Sequence, residues 1–210
     1  MRKTPSRARC TRATNPAPLR RLRVFQNGRA ANGSNGNGAN QPAGNGGNVA
    51  VTSTTNAVTV GAISTVGGNG GTVNANGGNA GAITLDAGGA TPSITLGGNL
   101  SATGGNRVGT GAAGSGGQIW LRDAVLLNAA ITASAQGGSA GVGAGANVRF
   151  DGTINSTGAA RALTVNSNAA TIFGDAVGGS SALASLTTNA GGTTSIGGNI
   201  TTTGVQTYND

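Results

Sequence analysis

The sequence predicts an all-β solenoid, a sheet coiled on itself with circuits of about 23 residues, and three observations predict it. Short apolar-x-apolar triplets recur between Gly and Asn, often with Thr in the middle: Val58-Thr-Val60, Ile83-Thr-Leu85, Ile94-Thr-Leu96, Ile119-Trp-Leu121, Val148-Arg-Phe150 and Leu163-Thr-Val165. Alternation of this length, bounded by turn formers, means short strands. Three segments then share one nine-residue template: LGGNLSATG (96–104), FDGTINSTG (150–158) and IGGNITTTG (196–204). Finally, apolar pairs four residues apart start at 127, 150, 173 and 196, a constant step of 23. Successive circuits of that size would stack equivalent residues at the ordinary inter-strand spacing of about 4.8 Å.

Taken in order along the chain, residues 1–30 carry nine Arg and Lys and no acid, without periodicity. They read as a basic disordered tail or a mis-assigned start. Residues 31–48, ANGSNGNGANQPAGNGGN, read as a flexible Gly/Asn linker. The repeat region spans 49–210. Its first part, 49–93, registers poorly, because VGGNGGTVNANGGNAGAITL is so rich in Gly that a polyglycine-like or loop conformation is open. The clear repeats occupy 94–210. The step from Leu96 to Leu127 is longer than 23 residues, and the Gly-rich stretches 104–117 and 137–146 are expected to bulge from corners. The last repeat is expected to stop part-way at Asp210.

The expected inward pairs are Leu96 with Leu100, Leu127 with Ile131, Phe150 with Ile154, Phe173 with Val177 and Ile196 with Ile200. Each pair straddles a small or polar corner that turns the backbone, so both members point inward. Leu, Ile, Val and Phe make up 37 of 210 residues and only five aromatics are present, which argues against a conventional globular core. A narrow coil has room for Ala, Val, Ile and Thr stacks but not for indole rings.

Composition also narrows the chemistry. The formal net charge is +8, yet it lies in the tail, and residues 31–210 balance four Arg against five Asp. Specific nucleic-acid binding is therefore not expected of the body. With no His, the GGSAG match at 137–141 around Ser139 cannot belong to a Ser-His-Asp system. GTGAAG (109–114) fits a dinucleotide fingerprint formally, but the SGGQIWL that follows cannot open a helix. The nonapeptides GGNGGTVNA (67–75) and GGNAGAITL (77–85) have the glycine content of calcium-binding β-rolls without the Asp that neutralises the ion. The single Cys10 excludes an intramolecular disulfide and a cysteine-based metal site.

There is no Glu, and Asp86, Asp123, Asp151 and Asp175 are scattered. Asp151 and Asp175 fall one position apart at neighbouring corners, but read best as turn residues in FDGT and FGDA. Arg149 and Asp151 flank Phe150 on one outward face as a solvated pair. No catalytic, cofactor-binding or metal-binding residue is assigned, and no cofactor is expected. The sequons at Asn32, Asn99, Asn155 and Asn199 are expected by chance in so Asn- and Thr-rich a chain. No apolar run approaches the length of a membrane span, and the tail lacks the apolar stretch of a signal peptide.

The stretch SSALASLTTNAGGTTSIGGNITTTGVQTYND (180–210) resembles the repeats of filamentous-haemagglutinin-like adhesins and other giant bacterial β-helical surface proteins. The likeness covers about 94–210. It implies a right-handed parallel β-helix at the cell surface or outside the cell, acting without catalysis in adhesion or aggregation. Its implied partners are host or neighbouring-cell glycans or proteins, and further copies associating through the end rungs. A β-helical carbohydrate-active enzyme or polysaccharide-binding module is the alternative, and a fragment without independent function is a third.

Overall fold

The computed structural model describes residues 32–140 and 143–210, together with the backbone of Arg23–Val24. Among these residues there is no helix, and all strands pair in parallel. The expected all-β class holds, as does the assignment of the apolar-x-apolar triplets to strands.

The chain enters with β1 (Arg23–Val24) and then runs in circuits of three strands. The first holds β2 (Val49–Thr52), β3 (Val58–Val60) and β4 (Ile63–Ser64); the second β5 (Ile83–Asp86), β6 (Ser93–Leu96) and β7 (Leu100–Ser101). Next come β8 (Ile119–Leu121), β9 (Ala124–Leu127) and β10 (Ile131–Ser134), then β11 (Val148–Phe150), β12 (Ile154–Ser156) and β13 (Ala162–Asn166). The last two circuits hold β14 (Ala170–Phe173) with β15 (Ser185–Thr188), and β16 (Thr193–Ile196) with β17 (Gln206–Thr207). Their middle strand is reduced to the bridging residues Val177 and Ile200.

First-position strands form sheet I, ordered β2-β5-β8-β11-β14-β16. Second-position strands form sheet II, ordered β1-β3-β6-β9-β12, and third-position strands form sheet III, ordered β4-β7-β10-β13-β15-β17. Period-two alternation sends one side chain in and the next out, which is the burial pattern of β5, β8, β10 and β13. The inward set, from Val58 through Ile83, Leu121 and Phe150 to Leu186, makes one continuous apolar column. Trp120 faces outward, as the narrowness of that column requires.

Three expectations need correction. The step of 23 holds only late in the chain, where Thr171 pairs with Val148 and Thr194, Val177 with Ile154 and Ile200, and Leu163 with Leu186. Earlier circuits are longer: Ile83 pairs with Val49 and with Ile119, and Ile119 with Val148. The inward pairs also belong to two different corners. Phe150 stacks between Leu121 and Phe173, with Ile196 beyond, at the corner from sheet I to sheet II. Leu127 instead pairs with Leu96 and Ser156, at the end of sheet II, so Leu96…Leu100 and Leu127…Ile131 mark the corner from sheet II to sheet III. The true equivalent of Phe150…Ile154 one circuit earlier is Leu121…Val125. It was hidden because its corner is Arg-Asp-Ala rather than Gly-Gly, while LNAAI at the other corner looks like the template.

The third correction concerns residues 32–48, expected as a flexible linker; like the Gly-rich stretches expected to bulge from corners, they project from the sheets, but as ordered layers. Residues 32–48, 65–82 and 102–118, and the described parts of a fourth stretch, 135–140 and 143–147, leave the sheets as out-and-back layers stacked on one another. At their roots the hydrogen-bond period changes from two to three. Ile63, Thr65 and Gly67 donate to Asn99, Ser101 and Thr103; after that the next donor is Gly70, to Asn106. On the return arm Gly77, Ala80 and Ile83 donate to Ala112, Ser115 and Gln118. A period of three is that of an extended polyproline-II-type helix, which has no internal hydrogen bonds and so offers its backbone groups sideways.

The second N–H of each triplet ties outgoing to returning arms. A zigzag of N–H···O bonds of 2.8–3.0 Å climbs through Ser34, Gly44, Gly68, Gly78, Gly105, Gly114, Gly138 and Gly143. A Cβ on Gly78 would overlap the carbonyl of Gly44, and one on Gly114 the carbonyl of Gly78, so this packing requires glycine. The third N–H goes to an Asn side chain of the layer before. Asn69 N donates to Asn35 Oδ1 and Asn106 N to Asn69 Oδ1 on the outgoing arm. Asn79 N donates to Asn45 Oδ1 and Ser115 N to Asn79 Oδ1 on the return arm. Thus Gly-Gly-Asn satisfies all three donors of a turn, as buried backbone demands. The tail over 1–22 and 25–31 lies outside the described residues; Arg23 and Val24 pair with Thr59 and Val60.

Candidate functional site

Eight of the ten inward residues named from sequence are buried: Leu96, Leu100, Leu127, Ile131, Phe150, Ile154, Phe173 and Val177. The last pair differs. Ile196 is 48% exposed and Ile200 only partly buried, because among the described residues β16 is the end strand of sheet I. Val205 and Tyr208 are exposed at the same end. Partial burial there raises the phenol of Tyr208 above its ordinary pKa of 10.0.

The outer face of sheet I carries the densest set of chemically active side chains. Trp120, aligned with Arg149 in the adjacent strand, donates its Nε1–H to Asp151 Oδ2 at 2.7 Å. Arg149 pairs with the same carboxylate, and Arg122 pairs with Asp86 at 2.9 Å. The guanidinium carbons of Arg122 and Arg149 lie 4.7 and 5.8 Å from the indole centroid, within cation–π range. The expected Arg149–Asp151 pair is therefore present, enlarged to a five-residue cluster. Sequence reasoning missed Trp120, Arg122 and Asp86 because their strands are consecutive in space but 31 to 36 residues apart in the chain.

The backbone uses two further carboxylates, Asp123 and Asp175. Asp123 Oδ2 accepts the Ala87 N–H at 2.6 Å, and Asp175 Oδ1 accepts the N–H of Ala176 at 2.7 Å. Asp151 and Asp175 thus have separate partners, Asp151 the side chains of Trp120 and Arg149 and Asp175 the backbone of its own corner. Ser139 Oγ donates to Asn106 Oδ1 at 3.1 Å inside the layers, and GTGAAG forms the tip of the 102–118 layer with Gly109 at a φ of 60°. The nonapeptides compared with calcium loops are the two arms of the 65–82 layer, and their Asn carboxamides accept backbone N–H groups. The sequon residues are employed in the same way: Asn32, Asn99 and Asn155 each accept backbone N–H groups through Oδ1.

A shallow concavity of about 440 Å³ lies along the first two layers, lined by Asn32, Asn35, Val66 and Asn69. Among the described residues no group of three or more His, Cys, Asp or Glu side chains gathers, and no helix is long and apolar enough to cross a membrane.

The class these observations define is an all-β protein of parallel strands in three sheets, visited in fixed cyclic order and flanked by a glycine-asparagine slab. Comparison with protein-family models, curated proteins and solved structures finds no match to this chain.

Proposed function

We propose that the chain is a right-handed parallel β-helix that serves as a non-enzymatic structural and adhesive segment of an extracellular surface protein. The observation that carries this reading is the uninterrupted cyclic order of three parallel sheets around one apolar column. Such a fold is extended by adding circuits, each contacting only its neighbours, so length and displayed surface grow together. The engagement of Asp86, Asp123, Asp151 and Asp175 in local contacts supports a scaffold role. The resemblance of 180–210 to filamentous-haemagglutinin-like repeats supports the surface setting.

A polysaccharide-binding module is a second reading, favoured by the Trp120 cluster alone, since an indole framed by guanidinium groups on a flat sheet suits a sugar ring or uronate. Beads coated with the 210-residue chain test both readings. Enhanced attachment to cells, unchanged by Trp120→Ala and without release of sugar products, is the expected result. Attachment to purified polysaccharide lost in Trp120→Ala supports the second reading. Polysaccharide turnover abolished by Asp151→Asn overturns the non-enzymatic assignment.

A further inference from the structure

The outer faces of the three sheets differ in regularity. On sheet I the outward residues change from strand to strand, Thr84, Trp120, Arg149, Ile172. On sheet II they run Thr59, Thr95, Leu126, Asn155. Sheet III repeats. Thr132, Thr164, Thr187 and Thr207 hold one register position in four successive strands. Two residues further along lies a second polar column, Ser64, Ser101, Ser134 and Asn166 in register; Asn189 and Asn209 follow at the same offset just past β15 and β17, with carboxamides bonded to Ser167 and Ala190 and to Thr188.

The inward neighbours Leu163, Val165 and Leu186 are fully buried, so the Thr and Ser/Asn columns occupy the solvent face. None of the six strands carries a charged residue. Asn166 Nδ2 donates to Ser134 Oγ at 3.2 Å and so stiffens the second column. None of the four threonine hydroxyls takes part in a hydrogen bond among the described residues.

We propose that this face binds the ordered oxygen lattice of ice. Its grid has one repeat of about 4.7–4.9 Å across strands and another of about 6.6–6.8 Å between side chains two residues apart. Those repeats lie close to the oxygen spacings on a prism plane of hexagonal ice. β-Branching restricts each Thr to few χ1 rotamers, so methyl and hydroxyl positions are set before contact and little order is lost on binding. Long parallel sheets that stay flat rely on stacking and side-chain ladders, and the Asn166–Ser134 bond is one rung of such a ladder in the second column. The absence of charge matches a neutral lattice and leaves no salt-dependent attraction to a polyanion or polycation. The inference stands apart from the adhesive reading, since it does not use the Trp120 cluster and its test positions, Thr164 and Thr187, lie before the last circuit.

The test is nanolitre osmometry and ice-crystal microscopy on the full chain, with circular dichroism confirming the fold of each variant. The native chain is expected to shape ice crystals and to separate freezing from melting temperature. Thr164→Tyr and Thr187→Tyr are expected to abolish both effects, Thr164→Val to weaken them, and Trp120→Ala, on sheet I, to leave them intact. Crystals that grow unshaped in the native chain overturn the proposal. So does shaping that survives both tyrosine variants or is lost equally in Trp120→Ala.

Discussion

Phe150 and Phe173 stack face to face across adjacent circuits of sheet I, with ring centroids 5.6 Å apart and planes 11° from parallel. Both rings are buried, in a column otherwise built from Val, Ile, Leu and Ala. Parallel in-register pairing imposes the arrangement, since Phe150 and Phe173 share one register position. Removing either ring leaves the other with a void that a rigid stack cannot close. Phe150→Ala and Phe173→Ala are each expected to cost about 3–5 kcal/mol. The double variant should cost less than the sum, because the second truncation removes a ring already short of its partner. Urea unfolding followed by circular dichroism measures this.

The glycine slab makes the opposite claim about small residues. Gly→Ala at a compatible site ordinarily stabilises by about 0.4–1 kcal/mol through the unfolded chain. At Gly78 and Gly114 the added methyl meets a carbonyl of the neighbouring arm, and the expected effect is a loss of about 1–3 kcal/mol. Gly38→Ala is the control, since its Cβ would meet only the Gln41 side chain at ordinary contact distance. Melting temperatures of the three variants should rank Gly38→Ala above both slab variants.

Asn79 sits at the centre of the Asn ladder: its N–H bonds to Asn45 and its Oδ1 accepts the Ser115 N–H at 2.8 Å. Asn79→Ala leaves that donor without a protein partner, at a cost of about 0.5–1.5 kcal/mol. The amide of Ser115 should then exchange with deuterium faster, while Gly114, bonded to Gly105, keeps its protection. Equal loss at both would mean that the layers open as one unit.

At the other end, the unpaired edges of β16 and β17 invite strand addition by another copy. Sedimentation velocity is expected to show concentration-dependent association. Ile196→Asp should reduce it, because the substitution places a charge on the half-exposed inward position where a further circuit would pack. A monomer at all concentrations would contradict the expectation.

Much of the fold was legible because strands announce themselves locally. Leu163-Thr-Val165 and Ile83-Thr-Leu85 need only alternation and flanking turn formers to be assigned, and both are strands. Register was harder, since it depends on how far the chain travels between strands. Leu127 and Phe150 both open an apolar pair four apart, and only the pairing of Phe150 with Leu121 separates the two corners. The slab was hidden because its signal is a period of three in a segment otherwise read as low complexity. Gly-Gly-Asn at 46–48, 67–69, 77–79 and 104–106 forms it, while the same triplet at 97–99 and 197–199 turns a sheet corner. The triplet alone does not decide; what flanks it does. The Trp120 cluster was half legible, as Arg149 and Asp151 are two residues apart but Trp120 reaches Asp151 only through the stacking of β8 on β11.

The change of hydrogen-bond period at the roots of the layers also sets which insertions and deletions this chain can tolerate. Within a strand, one added residue turns the apolar side outward. Within a layer, every third N–H must again meet an Asn carboxamide, and each triplet added on the way out needs one on the way back. Length can therefore change in the slab only by paired triplets, whereas the tips, where Gly109 and Asn74 already take positive φ, can absorb single residues. A lineage of such chains would keep its arm lengths in steps of six and drift freely only at the points of return.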